Sequence, residues 1–237
     1  MINEILLCLS LLMTYGGVIV SYTLFGRRGL LVFGVFATIV ANIEVSLLID
    51  AFGVTQTLGN VLFASTFLIT DALSEIKGKD EAKKAVGITL FFSALFLMFS
   101  QLWLHYLPID HQAGESFQKV FAQTPRIIIA SLLVFAIASY LDVWLYHWWW
   151  KWSIRLCGER ERWLWLRNNG STLISQFVNT ILFTICAFWG VYPLDVLIQI
   201  ILSSYLIFVC LAILDTPVLY LLVCLAKRKN DYDLRKI

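Results

Sequence analysis

Charge is scarce in this chain: of its 237 residues only 14% are Asp, Glu, Lys or Arg, against roughly 25% in soluble domains. No soluble domain, low-complexity stretch or internal repeat is evident. The five cysteines (Cys8, Cys157, Cys186, Cys210, Cys224) form no C-x-x-C pair, and four lie in apolar blocks where cysteine behaves as a small hydrophobe. They read as structural, neither metal ligands nor disulfides. There is no H-E-x-x-H, no G-x-S-x-G and no P-loop, and His105, His111 and His147 are not spaced as metal ligands. Neither enzymatic chemistry nor any cofactor is therefore expected. The formal net charge of +2 gives no ground for a nucleic-acid partner.

What the chain has instead is apolar residue, 59% by composition, gathered in blocks of about twenty. The blocks are Ile5–Phe25, Leu30–Ile49, Leu58–Ser74, Val86–Tyr106, Ile127–His147, Ser171–Gly190 and Leu194–Ala226. About twenty apolar residues cross a ~30 Å hydrocarbon core as a helix. Only helices or closed barrels satisfy every backbone group there, and the blocks lack barrel alternation. The expected fold is an all-α integral membrane protein, one transmembrane domain over residues 1–237 with about seven spans. The first block lacks a basic leader, starts at Glu4 and is followed by Arg27-Arg28, the charge order of a retained helix whose N-terminus is outside.

The connections sort by charge. Sixteen basic residues follow the first, third, fifth and seventh blocks, among them Arg27, Lys77, Lys79, Arg160, Arg162, Arg167, Lys227, Arg235 and Lys236; the other connections hold only Lys119 and Arg126. That alternation is the positive-inside pattern, and it places the C-terminus in the cytoplasm of a cell-membrane protein. Seven tryptophans, Trp144 to Trp165, gather at one exit and read as an aromatic belt. In the outer loop, Phe117, Val120 and Phe121 stand at i, i+3, i+4 and predict a short amphipathic surface helix. Pro217 predicts a kink or break near Asp215-Thr216-Pro217.

Ionisable side chains inside a bilayer cost at least ~2.5 kcal/mol each at a helix centre, so those present are site candidates. The second block carries Glu44, with Thr38, Asn42 and Ser46 stacked on another face. The third carries Asn60, Asp71 and Glu75, the last two one turn apart; Glu75 could pair with Lys79. The fifth carries Ser139, Asp142 and Tyr146, the sixth Thr172, Ser175, Gln176 and Asn179, the seventh Gln199, Ser203 and Asp215. No Lys or Arg falls well inside a span, so these carboxylates are expected to lack a basic partner of their own. They suit a small-molecule transporter whose substrate brings hydrogen-bond donors or positive charge.

Residues 40–84 and 125–183 carry more specific patterns. They include Ala41-Asn42-Ile43, Phe52-Gly53, Thr70-Asp71-Ala72-Leu73-Ser74-Glu75 with Gly78 and Ala82, Ser139-Tyr140-Leu141-Asp142, Trp165-Leu166-Arg167-Asn168-Asn169 and Ser175-Gln176. The order and spacing resemble the queuosine precursor transporters, a branch of the vitamin-uptake-like transporters. Asn179 stands where that family has an aspartate. The resemblance implies import of a 7-deazaguanine, in its cyano or aminomethyl form or as queuine, through a site formed by the second, third, fifth and sixth helices. By that resemblance the substrate-binding residues are Asn42, Asp71, Glu75, Asp142, Gln176 and Asn179, with Phe67 and Phe183 available for stacking on a flat base. The implied partners are the small-molecule substrate and the lipid bilayer. A homodimer, or an ATP-driven coupling subunit that this chain would serve as the substrate-binding part, is compatible with the same residues.

Overall fold

The computed structural model describes residues 2–45, 47–122, 125–157 and 163–232. Ser46, Arg160, Arg162, Arg235 and Lys236, used above, lie outside them. In chain order the described elements are α1 (Ile2–Phe25), α2 (Arg27–Glu44), β1 (Leu48–Ala51), β2 (Val54–Thr57), α3 (Asn60–Lys77), α4 (Lys79–Trp103), α5 (His111–Phe121), α6 (Pro125–Cys157), α7 (Leu164–Phe188) and α8 (Leu194–Arg228). Seven long helices correspond to the seven apolar blocks, and α5 is the amphipathic helix expected between the fourth and fifth blocks.

Five helices, α1, α4, α6, α7 and α8, are long and apolar enough to cross a membrane. The other two, α2 and α3, have eighteen residues each, about 27 Å at 1.5 Å per residue. Each holds three charged residues: Arg27, Arg28 and Glu44 in one, Asp71, Glu75 and Lys77 in the other. Fifteen of the eighteen residues of α3 are buried, thirteen of them in an unbroken run from Ala64 to Ile76. A helix walled in by protein needs no lipid-compatible face, so α3 can be polar where a peripheral span cannot.

The peripheral helices invert the usual arrangement. Leu12 and Met13 on α1, Met98 on α4, Leu133 on α6 and Leu202 and Ile213 on α8 point outward, while Ser65, Asp71, Glu75, Asp142, Arg167, Ser171, Ser175 and Gln176 are buried. An apolar exterior around a polar interior is what lipid as solvent selects. The apolar part of the interior runs through Tyr22, Leu30, Leu68, Leu73, Val143, Trp150, Leu219 and Leu222.

Several sequence expectations move. The second block ends at Glu44, and residues 48–57 form an antiparallel hairpin pairing Ile49 with Gln56 and Asp50 with Thr55. Its turn, Phe52-Gly53, has φ of 54° and 75°, the double positive φ that a two-residue hairpin turn requires. The fifth block runs on to Cys157, and the sixth begins at Leu164, seven residues before Ser171. Of the kink or break expected near Pro217, there is no break: α8 is one continuous helix. Proline removes a single N–H from its thirty-five residues, and Thr216 Oγ1 donates to Ala212 O at 3.2 Å.

The two ends of the bundle differ in charge. At one end Arg27 meets Glu81 at 3.4 Å, Lys77 pairs with Asp231, Tyr22 Oη donates to Asp231 at 3.1 Å, and Lys229 Nζ donates to Thr23 O. The opposite end ties Asn3 Nδ2 to Asp50 O at 2.9 Å and Gln101 Nε2 to Phe121 O at 3.0 Å. There Arg126 donates to Cys186 O and Trp189 O at 2.7 and 2.8 Å, a cation on the last carbonyls of α7. Arg27, Lys77 and Lys229, which the sequence assigned to one side, thus share one end.

Candidate functional site

The centre of the bundle is built where α3, α6, α7 and α8 meet. Asp71 comes from α3, Asp142 from α6 and Asp215 from α8; they are 0%, 0% and 3% exposed. Asp71 and Asp142 both face α7, where each accepts a hydroxyl hydrogen bond.

The face of α7 opposite these acids supplies donors at helical spacing. Thr172 Oγ1 donates to Asp71 Oδ2 at 3.3 Å and Ser175 Oγ to Asp142 Oδ1 at 2.9 Å. Gln176 follows one turn after Thr172, is 1% exposed, and accepts from Asn179 Nδ2 at 3.2 Å through its Oε1. Four polar atoms in this region are buried without a hydrogen-bond partner among the described residues: Asp71 Oδ1, Asp142 Oδ2, Asp215 Oδ1 and Gln176 Nε2. An unsatisfied buried polar atom costs about 1–3 kcal/mol, so four together mark a place built for something else to complete.

One turn further along α3, Glu75 has a different setting. Arg167 Nη2 donates to both of its oxygens, at 2.9 and 3.0 Å, while Tyr146 Oη reaches Oε2 at 2.6 Å and Tyr232 Oη reaches Oε1 at 2.8 Å. Arg167 is fully buried, and its guanidinium carbon stands 4.6 Å from the centre of the Trp150 ring. Two sequence expectations are corrected here. Glu75 pairs with Arg167 rather than with Lys79. A basic residue does lie within the bundle, because α7 starts at Leu164 and draws Arg167 out of the basic loop into its first turn. The carboxylates one turn deeper still have no Lys or Arg hydrogen-bonded to them among the described residues.

The remaining site candidates are spread out. Phe67 is buried against Phe63, with ring centroids 5.7 Å apart, and Phe63 also meets Phe135 and Phe208. Asn42 is half-buried on α2 and donates to Thr38 O at 2.8 Å. Phe183 packs on Phe188, two turns from Gln176 toward the far end of α7. Sequence reasoning named Asp71, Asp142, Gln176 and Asn179 together; the structure bonds the two acids to Thr172 and Ser175 of α7, the helix that also carries Gln176 and Asn179. It named Asp215 and Tyr146 as candidates without placing them among the substrate-binding residues, and it passed over Arg167 and Tyr232, which bond Glu75. The available signals were the Asp-Thr-Pro turn in an apolar block and the Arg-Asn-Asn run before the sixth block, both polar in positions that lipid would penalise.

Comparison with known proteins agrees with this picture. Residues 57–222 match the family described as "Putative vitamin uptake transporter". The chain is 38% identical over 206 residues, 86% of its own length and 87% of the relative's, to the "Probable queuosine precursor transporter" of Bacillus subtilis (strain 168). No solved structure matches. With five membrane-length apolar helices, the chain is a multi-pass protein of the cell membrane.

Proposed function

We propose that this chain, which belongs to the vitamin uptake transporter family and to its queuosine precursor transporters, imports 7-deazaguanines by itself as a secondary transporter or facilitator. The observation that carries the proposal is the pattern of unfilled bonds at the bundle centre. Asp71 and Asp142 offer free acceptor oxygens and Gln176 offers a free donor. A guanine-like edge presents the complement, two adjacent N–H donors beside a carbonyl acceptor. A carboxylate can take the donors in bidentate fashion while the Gln176 amide donates to the carbonyl. Phe67 closes the apolar side of α3 near Asp71, and a flat base can stack on such a ring.

The site is closed in this conformation, since Asp71, Asp142 and Gln176 are at most 1% exposed. On the side toward the basic end, the Glu75–Arg167 pair with Tyr146, Tyr232 and Trp150 lies between the acids and water. In our reading that end is cytoplasmic, the bundle crosses the membrane seven times, and release to the cytoplasm requires the Glu75 layer to part. Glu75 then acts as a positioning and gating residue and touches the base only when Arg167 lets go.

Reconstitution of the purified chain in proteoliposomes tests the proposal. Uptake of a labelled 7-deazaguanine by this chain without nucleotide or partner is expected. Binding without uptake, rescued by an ATP-hydrolysing complex, would make it the substrate-binding subunit of an ATP-driven system. No binding at all would reject the site.

A further inference from the structure

We propose that the segment following α8, residues 229–232, is a clasp that holds the basic end of the bundle shut, and that transport requires this clasp to open and close. Its role in transport rests on the function proposed above; its closed geometry does not.

The sequence by itself gives this segment no reason to stay at the bundle. α8 ends at Arg228, and the chain continues Lys229-Asn230-Asp231-Tyr232, polar and charged. The backbone nevertheless turns back. Asn230 has φ of 54°, a left-handed conformation that asparagine tolerates. Its N–H donates to Lys227 O at 3.2 Å and that of Asp231 to Ala226 O at 2.9 Å, the paired bonds of a Schellman turn. The reversal carries Asp231 and Tyr232 across the end of the bundle. Asp231 pairs with Lys77, the last residue of α3, and accepts from Tyr22 of α1 at 3.1 Å. Lys229 Nζ donates to Thr23 O, also on α1. Tyr232 reaches deeper. Its hydroxyl donates to Glu75 Oε1 at 2.8 Å, and Lys227 Nζ stands 5.3 Å from the centre of its ring.

Glu75 shows what the clasp completes. A carboxylate accepts about four hydrogen bonds, and Glu75 receives two from Arg167, one from Tyr146 and one from Tyr232. The first three come from α6 and α7, long helices fixed by their packing. The last comes from a short segment outside any helix, whose ion pair to Lys77 has side chains 15% and 31% exposed. Pairs that water reaches are weak and screened by salt, so Tyr232 is the donor of Glu75 that can leave most readily. A helix stop needs the Schellman turn alone; it does not need a tyrosine hydroxyl on a buried carboxylate. These bonds tie α8 to α1 and α3 directly, and through Glu75 to α6 and α7. While they hold, this end of the bundle cannot part, and withdrawal of Tyr232 opens Glu75 to water as the first step of release.

Reversible cross-linking tests the clasp. Lys77→Cys and Asp231→Cys together, in a chain whose five native cysteines are replaced by alanine, put a thiol at each end of the ion pair. A short bis-methanethiosulfonate linker, cleaved by reductant, should join them. Uptake of a labelled 7-deazaguanine by the linked protein in proteoliposomes should then fall about tenfold or more and return on reduction. Before linking, this protein should transport no slower than the cysteine-free chain. With either cysteine alone the same reagent should slow uptake by less than about twofold. Adding Tyr232→Phe should lower the linked fraction about threefold or more, because the ion pair is already gone and the Glu75 bond is then lost as well. Full uptake by the linked protein overturns the inference, and so does failure of the two thiols to join. Slow uptake before linking, an equal loss with one cysteine alone, or a linked fraction that Tyr232→Phe leaves unchanged would overturn it too. If the native chain takes up nothing, the functional reading fails and the gating role with it, while the linked fractions still report whether the clasp is closed.

Discussion

Asp142 and Arg167 show how one side-chain type can serve either binding or architecture. Asp142 has one oxygen held by Ser175 and one left open, so its charge is available. Asp142→Asn keeps size and one acceptor and should leave membrane insertion intact while lowering uptake about tenfold or more, the scale of one buried charged contact; normal uptake by that variant would make the residue structural. Arg167 is ion-paired with Glu75, and breaking a buried ion pair from one side costs about 3–5 kcal/mol because the other charge is stranded. Arg167→Gln should therefore lower thermal stability sharply. The double variant Glu75→Gln with Arg167→Gln should recover at least half of that loss, since no charge is then stranded. If the double variant is as unstable as the single one, the pair is not what holds this layer together. The acids were legible in the sequence because lipid makes every intramembrane carboxylate conspicuous. Arg167 was not, because hydropathy marks where a helix is apolar, and the first turn of α7 is polar and buried by neighbours that sit far away in sequence.

Helices carried most of what could be read in advance, and their ends carried least. Blocks of about twenty apolar residues located seven helices, and the spacing of Phe117, Val120 and Phe121 located α5. The hairpin at residues 48–57 escaped because Leu48-Ile49 extends an apolar run without a break, and only the Phe52-Gly53 turn signals the reversal. Pro217 does not end its helix: one lost N–H in a long helix packed on three others does not break it. The joint between α1 and α2 gives a test at this scale. A Cβ on Gly29 would stand 2.0 Å from Ser21 O, a backbone atom of α1 that cannot step aside, whereas a Cβ on Gly16 meets nothing within 4 Å. Gly29→Ala should destabilise the protein by about 1–3 kcal/mol, the usual penalty for overpacking. Gly16→Ala should be neutral or slightly stabilising, since alanine is the better helix former. Thermal unfolding of the two variants in the same detergent compares them directly, and equal behaviour would mean that α1 and α2 do not approach as closely as the structure has them.

For the whole molecule, topology and binding are separable claims. If α2 and α3 both cross, the chain has seven spans; if they dip in and return together, it has five, and either count leaves the two termini on opposite sides. Combined with the gathering of basic residues at one end, this predicts that a reporter fused after Ile237 reads cytoplasmic and that a tag within α5 (His111–Phe121) is reachable from outside. A cytoplasmic α5 would invert the bundle. The central claim is that a guanine-like edge docks on the Asp71 carboxylate in a dry site, and the most direct measurement compares 7-deazaguanine with its analogue lacking the exocyclic amino group, on the parent and on Asp71→Asn. The parent should lose about ten- to a hundredfold in affinity when the amino group is removed, because a buried acceptor is then left unpaired at about 1–3 kcal/mol. The Asp71→Asn protein should bind 7-deazaguanine more weakly to begin with and lose clearly less on the same change. Equal binding of the two ligands by the parent protein would contradict the account.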